Sequence, residues 1–121
     1  MTKKFKTPAQ FNAAQNKKRG KKNHPMNLFA KNKLSGHPAY VYNKSGHYYH
    51  NIGLTHDSDN DRNIRLDTNP NPHDTQTAYI KPDPEITHVD NFKKKYSGWK
   101  FGDSDAKKVE SVKQKAPKKD K

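Results

Sequence analysis

The chain has 121 residues, of which 28% are hydrophobic, carries a formal net charge of +13 and contains no cysteine. This length fits one domain at most, and the lack of cysteine excludes disulfides, thiolate metal sites and cysteine catalysis. Since no apolar run approaches the ~20 residues of a membrane span and no apolar stretch follows the basic start, we expect a cytoplasmic protein that does not associate with membranes.

The charge is distributed unevenly along the chain. Residues 1–34 carry ten Lys and Arg side chains and no acidic one, residues 35–90 carry −4, and residues 91–121 carry +7. Two basic arms around a slightly acidic body favour binding to a polyanion, so we expect RNA or another nucleic acid as the partner. The alternative is that the arms only keep a small domain soluble.

Residues 1–34 predict a basic arm that is partly helical. Thr7-Pro8-Ala9-Gln10 is a capping-box pattern, and Gly20 would end the helix. His24-Pro25 is expected to break the chain before a short apolar plug at residues 26–29. We interpret the basic cluster of the arm as a phosphate-contacting segment, formed by Lys17, Lys18, Arg19, Lys21 and Lys22.

A β-hairpin is predicted next. Residues 39–42 alternate as a strand, Asn43-Lys44-Ser45-Gly46 supplies the turn, and residues 47–54 form the return strand. The aromatic residues in and after this hairpin have two interpretations, a buried core or an exposed patch for a protein partner. They are Tyr40, Tyr42, Tyr48, Tyr49 and Trp99.

Three more short strands are expected, around residues 64–66, 77–81 and 86–89. Several short strands joined by loops indicate a small barrel, so the predicted fold is mainly β, a small β-barrel over residues 35–112. Prolines at positions 70 and 72 make the loop before the second of these strands rigid.

A helix closes the predicted domain. Asp103 or Ser104 can cap it, and Ala106, Val109 and Val112 would form its inward face. The Lys-rich tail over residues 113–121 is expected to be disordered.

The sequence offers little for a metal or a cofactor. Residues 57–61 alternate Asp as an EF-hand loop does, but Arg62 stands where that loop needs glycine and Thr68 where it needs glutamate. The histidines at positions 37, 56 and 73 lie at strand ends or in loops and can converge, yet no ligand spacing accompanies them. We therefore expect neither a metal nor a cofactor.

A candidate catalytic set combines His37, Thr55 and His56 with the nearby hydroxyl and bases of Tyr49, Arg62 and Arg65. RNA is cut without a metal when one group takes the 2′-OH proton, a second protonates the leaving oxygen and a cation holds the phosphate. Histidines suit the first two roles and an arginine suits the third. The other interpretation is that these are surface polar residues beside a hairpin.

The order of motifs resembles the MazF/PemK family of ribonuclease toxins. The likeness covers about residues 35–115: His37-Pro38 precedes an apolar strand, a second strand ends in Thr55-His56, and Ser97-Gly98 leads into the helix. The resemblance implies an SH3-like barrel, metal-independent cleavage of single-stranded RNA, an antitoxin-like protein partner and a homodimer. The family's catalytic Arg falls at His37 and its Thr-Ser pair at Thr55-His56. Its opening Gly-Asp-Ile strand has no counterpart in the basic arm.

The sequence thus favours an RNA-directed, toxin-like endoribonuclease of a mobile element. The alternative is a non-catalytic nucleic-acid-binding or protein-interaction module with basic arms. Both nucleic-acid interpretations place phosphate contacts on the same residues outside the N-terminal cluster, which are Arg62, Arg65, Lys93, Lys94 and Lys95.

Overall fold

Mostly antiparallel strands, one α-helix and one 3₁₀ turn account for the regular structure of residues 23–119, which are the residues that the computed structural model describes. The strands and the helix are β1 (Asn23–Asn32), β2 (Pro38–Ser45), β3 (Tyr48–Thr55), β4 (Ile64–Arg65), β5 (Tyr79–Ile80), β6 (Glu85–His88), β7 (Phe92–Tyr96), α1 (Asp103–Lys113) and β8 (Lys118–Lys119). A single 3₁₀ turn, Val89–Asn91, joins β6 to β7.

The strands form one sheet in the order β4-β5-β3-β2-β1-β7. Strand β3 pairs with two different strands along the same edge. Its first half pairs with β6, and its last two residues pair with β5. All of these pairings are antiparallel, and β8 alone runs parallel to its neighbour β6. The predicted mainly β fold with a C-terminal helix is confirmed. The pairings within residues 23–119 do not join the two end strands, so closure into an SH3-like barrel stays a prediction.

Strand β1 replaces the predicted chain break and apolar plug. It passes through Pro25, and its register against β2 shifts between Pro25 and Leu28. Proline fits a strand beside such a bulge or on an unpaired edge, and β7 pairs with β1 only from Phe29 onward. The break at His24-Pro25 was therefore the wrong prediction, and residues from 23 onward belong to the sheet. The predicted helix and basic cluster of the arm lie outside the described residues.

The core lies between the sheet and α1. Nine buried side chains form it: Phe29, Tyr40, Ile52, Leu54, Leu66, Ala78, Ile80, Val109 and Val112. Tyr42 and Trp99 pack against this cluster, whereas Tyr48 keeps 40% of its surface exposed. Most of these aromatic residues therefore belong to the core or pack against it, as the buried-core interpretation predicted.

Helix α1 differs from its prediction at its start. Gly102 occupies the N-cap position and makes no side-chain cap, so neither Asp103 nor Ser104 caps the helix. Val109 and Val112 are buried as predicted, but Ala106 is exposed and Asp105 takes the buried position in the first turn. Residues 118–119 of the Lys-rich tail form β8, which pairs with β6.

The buried carboxylate of Asp105 joins the helix to a distant loop. Its Oδ1 accepts the backbone N–H of Asp67 at 2.8 Å, and its Oδ2 accepts that of Thr68 at 3.0 Å. Lys108 Nζ lies 3.1 Å from the same Oδ1. A fully buried charge is stable only when it is paired and hydrogen-bonded in this way, which explains why an Asp occupies this core position.

Candidate active site

A cleft of about 250 Å³ opens where the start of β2, the end of β3, the loop after β4 and the end of β7 meet. Because β2 and β3 run antiparallel, with Ala39 opposite Gly53, the residues just before β2 and just after β3 come to the same end of the sheet. The polar and aromatic residues of interest in its wall are His37, Thr55, His56, Asp74, Tyr96 and Trp99. All three predicted catalytic residues thus line one cleft.

His37 presents an imidazole without a hydrogen-bond partner among residues 23–119. Its backbone is fixed, because its carbonyl accepts the N–H of Asn32 at 3.0 Å and its own N–H donates to Ser35 Oγ at 3.2 Å. The side chain is exposed. Both ring nitrogens are therefore accessible for proton transfer.

His56 is held by a carboxylate. Its Nε2 lies 2.7 Å from Asp74 Oδ2, and its Nδ1 makes no hydrogen bond within the described part of the chain. The backbone N–H of Gln76, donating to Asp74 Oδ1 at 2.9 Å, and the His56 ring together lower the pKa of the Asp74 carboxyl. An ionised Asp74 orients the imidazole with Nε2 protonated and leaves Nδ1 for proton transfer.

Thr55 is the last residue of β3 and pairs there with Tyr79. Its Oγ1 accepts the backbone N–H of Asp57 at 3.2 Å. The hydroxyl hydrogen is not used by that bond, so Thr55 can donate to an anionic oxygen in the cleft.

The loop that carries Asp74 is braced by its own asparagines. Asn69 Oδ1 accepts the N–H of Asn71, and Asn71 Oδ1 in turn accepts the N–H of His73, each at 2.9 Å. Asn69 Nδ2 spans the loop to the carbonyl of Gln76 at 2.9 Å. Together with the two prolines, these bonds fix the backbone around Asp74 before any ligand arrives.

The predicted phosphate-holding arginines do not line the cleft. Arg62 Nη2 donates to Asp59 Oδ1 at 2.9 Å, and this bond raises the pKa of the guanidinium. Arg65 is exposed on β4, and its carbonyl accepts from Lys108 Nζ. Neither Lys nor Arg occurs in the wall that the described residues form. The side chains there that can donate to a phosphate include the two histidines, Thr55 and Asn71.

The predicted basic run of residues 93–95 is exposed on β7, directly before Tyr96 of the cleft wall. Lys94 has a left-handed backbone (φ +49°) beside a register shift between β7 and β1, and its Nζ lies 5.6 Å from the centre of the Tyr96 ring. These lysines therefore flank the cleft without entering it.

Three functional candidates of the cleft, Asn71, Asp74 and Tyr96, were not predicted from the sequence. Asp74 follows His73, a histidine that the sequence allowed to converge with His37 and His56, but His73 does not line the cleft. No local pattern marked Asp74, because its partner His56 lies 18 positions away in the sequence. Tyr96 gave no signal beyond hydrophobicity, whereas Trp99 was already one of the aromatic residues considered for an exposed patch.

Comparisons of the chain with protein-family models, curated proteins and solved structures give no match. Among residues 23–119, no three His, Cys, Asp or Glu side chains are grouped so that they could hold a metal ion. None of the helical structure described here is long and apolar enough to cross a membrane.

Proposed function

We propose that this protein is an RNA-directed, toxin-like protein of the MazF/PemK type that cleaves single-stranded RNA in the cytoplasm without a metal ion. The observation that carries the proposal is that His37, Thr55 and His56 line one cleft, with one imidazole free and the other paired to a carboxylate. Two histidines in different environments suit the two halves of an acid–base reaction.

The roles follow from the hydrogen bonds. His56 takes the proton of the 2′-OH at Nδ1, because the ionised Asp74 at Nε2 stabilises the imidazolium that forms. The 2′-oxygen attacks phosphorus and the bond from phosphorus to the 5′-oxygen breaks. Protonated His37 gives its proton to that leaving oxygen, so the products are a 2′,3′-cyclic phosphate and a 5′-hydroxyl. The Thr55 hydroxyl donates to a non-bridging phosphate oxygen.

The test is incubation of the purified protein with a long single-stranded RNA in EDTA, followed by analysis of the RNA ends. We expect cleavage to cyclic phosphate ends, slowed about a hundredfold or more in His37→Ala and in His56→Ala. Asp74→Asn is expected to slow it at least about tenfold. His73→Ala is the matched control, because this histidine lies on the same loop outside the cleft wall.

Two results would refute this proposal. One is intact RNA with the wild-type protein. The other is cleavage that all three variants retain, since the activity would then come from another site or from a contaminant.

A binding function without catalysis is the second candidate. The exposed lysines on β7 and the aromatic residues beside them are the observation that favours it, because basic and aromatic side chains together are typical of surfaces that bind single strands. RNA that is retarded on a gel but not cut, equally by wild type and by His37→Ala, would select this function.

A further inference from the structure

The end of the cleft next to β7 is an aromatic wall. The rings of Tyr96 and Trp99 lie parallel, with an interplanar angle of 12° and centroids 4.2 Å apart. Phe29, which is buried, supports the indole at a centroid distance of 5.7 Å. Because the wall is backed by the core, it is held in place without a ligand.

A side-chain amide with an unused hydrogen-bond donor lines the same cleft. Asn71 uses its Oδ1 to accept the N–H of His73, while its Nδ2 has no hydrogen-bond partner within residues 23–119. The bonds that brace this loop fix the position of the amide. It offers donors for a ligand that carries carbonyl or ring-nitrogen acceptors.

Positive charge lies beside the wall. The ammonium group of Lys94 is 5.6 Å from the centre of the Tyr96 ring, and Lys93 and Lys95 are exposed on the same strand. Lys100 follows Trp99 directly and is tied by its N–H to the carbonyl of Pro70 at 3.4 Å. A neutral apolar ligand would not interact with these cations. A base attached to a phosphodiester backbone can contact both the aromatic rings and the positive charges.

We propose that this end of the cleft is a nucleobase subsite, in which one unpaired base of single-stranded RNA contacts the aromatic wall formed by Tyr96 and Trp99 and accepts a hydrogen bond from Asn71 Nδ2. The proposal rests on the proposed function, because the subsite shares the cleft with His37 and His56. It makes the substrate class specific: a paired base is already stacked and cannot enter, so a duplex of the same sequence is excluded.

Trp99 is the only tryptophan of the chain, so its fluorescence reports on this subsite directly. The probe is a 2′-O-methyl oligoribonucleotide, which has no 2′-hydroxyl to react and therefore binds without being cut. We expect saturable quenching by this probe. An abasic oligonucleotide of the same length and charge is expected to cause little quenching, and so is a duplex.

Two variants test the roles of the side chains. Asn71→Ala keeps the fluorophore and is expected to raise Kd about fivefold, while Asn27→Ala, an exposed asparagine on β1, leaves Kd unchanged. Trp99→Leu is expected to raise Kd on the order of tenfold when binding is followed by the anisotropy of a labelled probe. A thermal melting curve of Trp99→Leu shows whether this variant folds. If it does not fold, the result for Asn71→Ala decides the test.

The outcomes separate the subsite from the activity. Cleavage of RNA without a change in Trp99 fluorescence would overturn the subsite and leave the proposed function intact. Quenching by the 2′-O-methyl probe without cleavage of normal RNA would support the subsite and remove the catalytic function. Equal quenching by the abasic strand would overturn the subsite, since the contact would then be electrostatic only.

Discussion

Asp105 is a buried polar residue whose replacement should clearly lower stability. Asp105→Ala removes the acceptor of two backbone N–H groups, at Asp67 and Thr68, and the partner of Lys108. Orphaned donors next to an unpaired ammonium group are costly, so we expect a loss of about 3 kcal/mol in the free energy of unfolding. Urea denaturation measures it.

The matched control for this change is Glu110→Gln on the same helix. Glu110 is exposed and pairs with Lys113 at 2.8 Å, a surface ion pair of the kind that contributes little. Its replacement should change stability by less than about 0.5 kcal/mol. If both variants lost the same stability, the role given to Asp105 would be wrong.

His50 gives the molecule a pH dependence of known sign. Burial lowers the pKa of this imidazole from 6.5, beside the ring of Tyr42 at 6.1 Å. The folded protein therefore binds this proton less readily than the unfolded chain does. Its contribution to stability is fully present above the unfolded pKa and decreases as the pH falls from about 7 through the lowered folded value.

Replacement of His50 by Gln removes this titration. We expect the variant to lose less stability than the wild type between pH 7.5 and pH 5, measured as the difference in urea midpoint at the two values. Parallel pH profiles for the two proteins would contradict the prediction.

Single residues also show how far the sequence could be interpreted. The sequence allowed His37, Thr55 and His56 to be grouped. His37 precedes the first strand of the hairpin and the other two lie at the end of its second strand, and a hairpin brings these two ends together. Asp74 and Asp105 could not be assigned in this way. Each acts through contacts 18 or more residues away, and a lone aspartate in a charged sequence carries no sign of its partner.

At the scale of elements, the β2–β3 hairpin depends on one glycine. Gly46 has a φ of +61°, and a Cβ added there would meet no atom within 4 Å. A substitution therefore acts only through the backbone. Gly46→Ala should cost about 1 kcal/mol of stability, and Gly46→Asn clearly less, because asparagine tolerates left-handed geometry.

Urea unfolding of the two Gly46 variants checks this prediction. Gly102→Ala serves as a comparison, since the backbone there has a negative φ of −71° and an added Cβ would be at ordinary contact distance from Thr68. Equal losses in Gly46→Ala and Gly46→Asn would show that something other than the left-handed backbone sets the cost.

The β2–β3 hairpin was predictable from sequence, but strands β1 and β7, which follow β2 in the sheet, were not. Strand β2 alternates clearly and is followed by a turn signal. Strands β1 and β7 carry a proline and three consecutive lysines, which depress every local measure of strand propensity. They pair because Phe29 and Tyr96 lie opposite each other at the core, and such long-range packing is not encoded locally.

At the scale of the whole molecule, the net charge of +13 predicts a strong salt dependence of RNA binding. Each lysine contact to a phosphate of a single strand contributes about 0.7 to the slope of log K against log salt. Replacing all three lysines of residues 93–95 by alanine should therefore reduce the slope by about 2. Binding titrations at four salt concentrations measure it.

Arg62→Ala is the informative comparison in that series. Its guanidinium is bonded to Asp59, so we expect a smaller change in slope than a free cation gives. An unchanged slope in the triple lysine variant would show that β7 does not contact the RNA backbone.

The hydrogen bonds between Asp105 of α1 and residues 67–68 affect the order in which the cleft forms during protein synthesis. Synthesis delivers the cleft loop long before the helix, because Asp105 follows Thr68 by 37 positions. Until the first turn of α1 has left the ribosome, the N–H groups of Asp67 and Thr68 lack the Asp105 carboxylate that accepts them in the folded protein. The nascent sheet can therefore pair while its cleft is still incomplete, and the cleft takes its final shape only after α1 has joined the sheet.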